Sequence, residues 1–131
     1  MIAAAFATEL VAMQGKTTAD GVYSDAQAKR GEAAYSQSCS SCHGPDLSGL
    51  DSAPSLAGPE FLTSWTDQTV GDLVERVRTS MPADAPGSLA RPAVIDIVSF
   101  IISKNGFPAG SADLPTESDA LKAIKIAGAK R

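Results

Sequence analysis

The chain is poor in aromatic side chains, in histidine and cysteine, and in concentrated charge of either sign. Phe, Trp and Tyr make up 5% of its 131 residues, as one Trp, two Tyr and four Phe, whereas alanine supplies 22. A core assembled from these side chains alone is thin. The 11 Lys and Arg and 15 Asp and Glu are scattered, giving a formal charge of −4 with no basic run. That excludes a nucleic-acid surface and a polybasic membrane patch. No run of 18 apolar residues occurs, so no segment is expected to span a membrane. Strand-period runs are lacking too, which argues against an alternating β/α sheet. At this length one domain is expected, and 44% apolar with 20% charged residues describes a compact soluble domain better than a disordered chain.

The first 20 residues differ from the rest. Met1 to Ala7 is apolar and Ala5-Phe6-Ala7 resembles a cleavage site, but no basic start precedes it and Glu9 interrupts the apolar stretch. Residues 1–20 are expected to be the remnant of an export segment or a disordered tail, and residues 21–131 a single domain. Gly15-Lys16-Thr17 mimics the end of a phosphate-binding loop, yet the glycine required five residues earlier is Leu10.

Scarce as they are, both cysteines and the single histidine fall within five residues, Cys39-Ser40-Ser41-Cys42-His43. A zinc site needs three or four ligands, and only carboxylates remain to complete one. A redox dithiol shares the cysteine spacing but belongs at a strand-to-helix turn. A small disulfide in an exported protein, or two free thiols, is the plainest alternative. Covalent attachment of a c-type haem accounts for every residue: each thiol adds to one vinyl group, and the adjacent imidazole reaches the iron.

The second axial position is narrowed by counting. With one histidine there is no second imidazole, which leaves Met, Lys or an open site. Met1 and Met13 lie in the first 20 residues, so the remaining methionine is Met81. Pro82 follows it and pushes its backbone toward an extended conformation, presenting the side chain just past an apolar helical stripe of Val70, Leu73, Val74 and Val77. A gap-filling core methionine is the ordinary alternative.

From these residues onward the sequence resembles a class I monohaem cytochrome c over roughly residues 22 to 126. The resemblance implies an all-α cytochrome c fold of about four to five helices wrapped around one covalently bound haem, with N- and C-terminal helices crossing. Gly31 and Tyr35 match the family's glycine and aromatic at that crossing, on a first helix of about 13 residues opened by a Ser24 and Gln27 capping box. Phe100 matches an aromatic on the last helix, which starts near Pro92 and stops at Asn105-Gly106. The resemblance also implies that Met81 is the sulfur ligand, that the Pro54 carbonyl accepts a hydrogen bond from the far nitrogen of His43, that Leu56 packs on the haem, and that the Trp65 indole meets a propionate. Pro59 and Glu60 suit the short helix carrying Trp65, and Thr116 is expected to cap a final short segment with Leu121, Ile124 and Ile126.

His and Met ligation fills both axial positions of the iron, leaving one-electron transfer as the chemistry. The expected protein is therefore a periplasmic, or otherwise extracytoplasmic, electron carrier with redox protein partners, a dehydrogenase donor and a cytochrome or oxidase acceptor, and not itself an enzyme. The loops Met81-Pro82 through Pro86-Gly87-Ser88-Leu89 and Asn105 through Gly110 resemble cytochromes associated with quinoprotein (PQQ-dependent) alcohol dehydrogenases. The rival is a haem sensor or peroxidase-like enzyme with a labile Met81. Gln37 to Ser41 and Met81 to Gly87, expected near the haem edge, hold one charge, Asp84, so docking there is expected to gain little from electrostatic steering.

Overall fold

Ser24 opens the first long helix, α1 (Asp25–Ser38), by accepting the Gln27 backbone N–H on its hydroxyl. The reciprocal half of the expected capping box is not made. Gln27 is buried and spends its amide elsewhere, donating to Asp96 and accepting from the Leu114 backbone at 2.7 Å. An amide at a helix crossing has polar neighbours to satisfy there, and leaving them unpaired costs more than one exposed cap bond.

The computed structural model describes residues 16–50 and 53–128. Within them, α1 is followed by α2 (Ser40–His43), α3 (Pro59–Trp65), α4 (Val70–Ser80), α5 (Arg91–Lys104) and α6 (Ser118–Lys122), with a single 3₁₀ turn at Thr18–Asp20 ahead of them all. Only isolated β-bridges occur among the described residues. The all-α class holds, while the six α-helices exceed the expected four to five. The additional one is the single turn at the cysteine motif, which helical spacing over long windows does not resolve, whereas the short C-terminal helix falls in the expected final segment.

Two helices carry the framework. The apolar stripe of α5 is wide: Val94, Ile95, Ile97, Val98, Phe100, Ile101 and Ile102 are all buried. It crosses α1 at Gly31, where an added Cβ would lie 1.9 Å from the Asp96 carbonyl oxygen. Tyr35 packs on Phe100 one turn further along, ring centroids 5.3 Å apart. The expected crossing of first and last long helices is therefore present, at the expected residues.

Thr69 caps α4 in a full capping box with Asp72, and Val70, Leu73 and Val74 are buried beneath it. Two helix starts differ from a polar-cap pattern. Ala90 precedes α5 without a side-chain cap, and Pro92 in the first turn compensates through its preset φ. Thr116 does not cap α6; Glu117 holds that position without a side-chain cap bond, and the Thr116 carbonyl instead accepts from the Arg91 guanidinium at 3.0 Å. Leu121, Ile124 and Ile126 are buried as expected.

The C-terminal segment closes the body. Ile124 accepts from Val70, Ile126 exchanges hydrogen bonds with Asp67 and Gln68, and Lys125 pairs with Lys16 and Thr18. Thr18 is wholly buried and its hydroxyl accepts from Ala127. Residues 16–20 are thus packed into the domain. The remainder of the expected tail, including Ala5-Phe6-Ala7 and Met13, lies outside the described residues.

Candidate functional site

The cysteine motif is delivered by the end of α1. Cys39 caps that helix, its backbone N–H donating to Tyr35 O at 2.8 Å, and the chain turns at once into α2. One helical turn then brings the His43 N–H onto the Cys39 carbonyl at 2.9 Å. Both cysteines are free thiols, Cys39 half-buried and Cys42 exposed. Burial, and next the neighbouring Cys42, push the Cys39 thiol up to about 11. A redox-active dithiol needs the opposite shift.

His43 is buried, and its Nδ1 lies 2.8 Å from the Pro54 carbonyl oxygen. A carbonyl only accepts, so Nδ1 carries a proton, and in the neutral imidazole Nε2 is the nitrogen with the lone pair. The imidazole is held at the backbone as well. Its own carbonyl accepts from Gly49 at 2.8 Å, and the next carbonyl, Gly44, accepts from the Tyr35 hydroxyl at 2.6 Å. Gly49 sits at φ +86°, where its missing Cβ leaves room for Ala53 and Ser55 to approach. The described residues of the loop, 44–50 and 53–58, are in this way bonded to one another beside His43. Burial above all raises the Tyr35 phenol to about 12, so it remains a donor.

Pro54, Leu56 and Trp65 line one cavity of about 610 Å³, together with Phe61, Glu60 and Arg76. Trp65 is half-buried and stacks on Phe61 at 6.2 Å. The cavity reaches His43 through Pro54. Cys39, Cys42 and Met81 are not among its walls. Met81 comes from a different element: it ends α4 with φ −120° and ψ 153°, the extended backbone expected before Pro82, and is half-buried. The cysteine motif, His43 and Pro54 are therefore joined by direct bonds, Leu56 and Trp65 share the adjoining cavity, and Met81 stands at the end of a separate helix.

Three contributors were not singled out from the sequence. Arg76 lines the cavity and makes none of the ion pairs formed by Arg30, Arg78 and Arg91 among the described residues. Its only signal is its place beside the α4 apolar stripe. The Tyr35 hydroxyl was legible only as the difference between Tyr and Phe. Asn105 donates to Leu56 and accepts from Gly58, contacts across 49 and 47 residues that local pattern does not encode.

The donor set fits a covalently held haem. Two thiols stand one turn apart, one imidazole nitrogen is free while the other is engaged, and no cluster of three or more His, Cys, Asp or Glu able to hold a metal occurs among the described residues. The neighbouring cavity has the size of cofactor sites and pairs apolar walls with a cation.

Comparison with known families decides the matter. The model of the family described as cytochrome c oxidase, cbb3-type, subunit III matches residues 26–101, more than half of the chain. The chain belongs to this family. It is a c-type cytochrome with the all-α cytochrome c fold, and haem c with its iron and electron transfer follow from that membership. Among solved structures, this cytochrome is similar to a chain in the crystal structure of the sulfane dehydrogenase SoxCD from Paracoccus pantotrophus, with TM-score 0.56 and 23% identity. That likeness covers 86% of the cytochrome and 60% of the solved chain, and it speaks for the fold. The search of curated proteins finds no match. Among the described residues of the cytochrome, no helix is long and apolar enough to cross a membrane.

Proposed function

We propose that the domain is a single-haem electron carrier working outside the cytoplasm, in which Cys39 and Cys42 anchor the porphyrin and His43 and Met81 bind its iron. It takes electrons from a dehydrogenase and passes them to a downstream cytochrome or terminal oxidase. The observation that carries this reading is the His43 Nδ1 to Pro54 hydrogen bond of 2.8 Å. It fixes the tautomer that leaves Nε2 for a metal and makes the ring a stronger ligand. A histidine kept only for packing has no need of that arrangement.

Haem supplies reversible one-electron chemistry when bound, and its flat apolar disc supplies core that the chain lacks. The residues do the rest. Cys39, half-buried at the end of α1, couples the attachment point to the α1 and α5 crossing. Leu56 and Trp65 would give apolar wall to the haem, and Arg76 in the same cavity would supply positive charge to its propionates. With His43 and Met81 both holding the iron, exogenous ligands would be kept off it and reorganisation on electron transfer would be small.

The test is spectroscopic. Expressed in a host with working haem attachment, the protein is expected to carry one haem per chain that denaturation does not release, with a sulfur-to-iron band in the oxidised form and no rapid carbon monoxide binding in the reduced form. A colourless protein overturns the haem reading. Rapid carbon monoxide binding to the reduced protein moves the assignment to the ligand-sensing or peroxidase-like class.

Donor identity is tested by reduction kinetics, beginning with a quinoprotein alcohol dehydrogenase. Ser41, Ala83, Ala85 and Gly87 are exposed, Ser40 is half-buried, and Asp84 is the one charge within residues 37–41 and 81–87. The electron-transfer rate is accordingly expected to change less than tenfold between low and moderate salt. A larger fall would mean that charges elsewhere on the surface steer the encounter.

A further inference from the structure

Asn105 ends α5 with more hydrogen bonds than a helix stop requires. Its Nδ2 donates to Ile101 O at 2.9 Å, which closes its own helix. The same nitrogen donates to Leu56 O at 3.0 Å, and its Oδ1 accepts from Gly58 N at 2.9 Å. The last two bonds leave the helix and grip the loop, and together the three use both ends of the amide.

The gripped segment begins two residues after Pro54. On its other side Leu56 donates its N–H to the Leu47 carbonyl at 2.8 Å, and Leu47 is wholly buried. Leu56 is thereby held from both directions, by the buried loop and by the end of the longest apolar helix. Pro54 itself is exposed. The position of its carbonyl is set through its chain neighbours, with Ala53 before it paired to Leu50 and Ser55 after it donating to Leu47 and Ala57, and the Leu56–Gly58 anchor lies directly beyond them.

We propose that Asn105 is a positioning residue for His43, acting through the Leu56–Gly58 segment to keep the Pro54 carbonyl on Nδ1. The proposal rests on His43 being an iron ligand. A well-placed acceptor on Nδ1 makes the imidazole a richer donor and favours oxidised iron. Loosening it favours the reduced form.

The experiment is a redox titration of the purified holoprotein and three variants. Asn105→Ala removes all three bonds. Asn105→Ser keeps a small hydroxyl able to close the helix end but too short to span helix and loop. Ser103→Gly weakens the same last turn, removing the Ser103 bond to Phe100 O, without touching the loop or any charge. The expected result is an upward shift of the midpoint potential in Asn105→Ala, a several-fold rise in the reduced-to-oxidised ratio at fixed ambient potential, with a smaller shift of the same sign in Asn105→Ser. Ser103→Gly loses thermal stability but keeps the wild-type potential. If the asparagine variants lose stability like Ser103→Gly and keep the wild-type potential, Asn105 is a helix stop and the proposal falls. Should Asn105→Ala not accumulate as holoprotein, Asn105→Ser is judged by the same criterion. A wild-type protein without haem sinks the underlying assignment, whereas a loaded wild type with unmoved asparagine variants sinks this proposal alone.

Discussion

Replacing Met81 by alanine is expected to lower the reduction potential by on the order of a few tenths of a volt, within the span of ~0.8 V that axial ligands control. A neutral thioether favours Fe(II) over Fe(III), and the water or hydroxide that enters in its place does not. Two other readouts should move with the potential: the sulfur-to-iron band of the oxidised protein disappears, and the reduced protein binds carbon monoxide quickly. Global stability should change much less, because Met81 is only half-buried and ends its helix with backbone bonds that alanine also makes, its N–H to Val77 O at 3.0 Å among them. This separation distinguishes a ligand from a gap-filling methionine. A core methionine would cost about 2–5 kcal/mol on truncation while leaving the potential where it was. Stability lost at unchanged potential would therefore refute Met81 as the ligand.

The two halves of the site were not equally legible in the sequence. Cys39, Cys42 and His43 announce themselves because a two-residue spacer followed by histidine is a chemical requirement written in consecutive letters. The helix supports were legible for a related reason. Ser24, Thr69 and Pro92 mark helix starts by local hydrogen bonding or preset φ, and all three stand at or inside observed starts. What escaped is whatever depends on distant partners. Gln27 fits a capping-box template, yet its amide is taken by Asp96 and Leu114, 69 and 87 residues away. Thr116 fits a cap template, yet its carbonyl serves Arg91 and the helix starts beyond it. Asn105 looked like punctuation and proved to be a clamp. A polar side chain has several satisfactory partners in any local window, and only the tertiary arrangement decides among them. Apolar periodicity is more robust: Val70, Leu73 and Val74 of the α4 stripe are buried, because burial rewards the members of a stripe in the same direction.

Gly31→Ala is the substitution expected to damage the fold most for a single added methyl group. In an exposed helix interior the change would stabilise by roughly 0.5–1 kcal/mol, since glycine loses more backbone freedom on folding. At this position the new Cβ would lie 1.9 Å from the Asp96 carbonyl oxygen, 2.6 Å from its carbon and 3.0 Å from the Phe100 Cβ. The first two are backbone atoms inside α5 and cannot rotate away. The helices must separate, and with them the Tyr35 and Phe100 contact at 5.3 Å and the Gln27 bridge to Asp96. Overpacking of this kind costs about 1–3 kcal/mol and more where backbone must move. A net loss of ~3 kcal/mol is expected, a fall in Tm of roughly 10–20 °C for a domain of this size. The effect should not stay at the crossing. Tyr35 also donates to the Gly44 carbonyl beside His43, and α1 runs directly into Cys39. Separation of α1 from α5 therefore pulls on the attachment turn. The apoprotein, with so few aromatics in its core, should fail before the holoprotein does, because bound haem stabilises only the folded state. Thermal unfolding of the holoprotein, together with the yield of haem-loaded chain, measures both consequences. A Gly31→Ala protein as stable and as fully loaded as wild type would show that α1 and α5 do not cross this closely, and the coupling from that crossing to Cys39 would go with it.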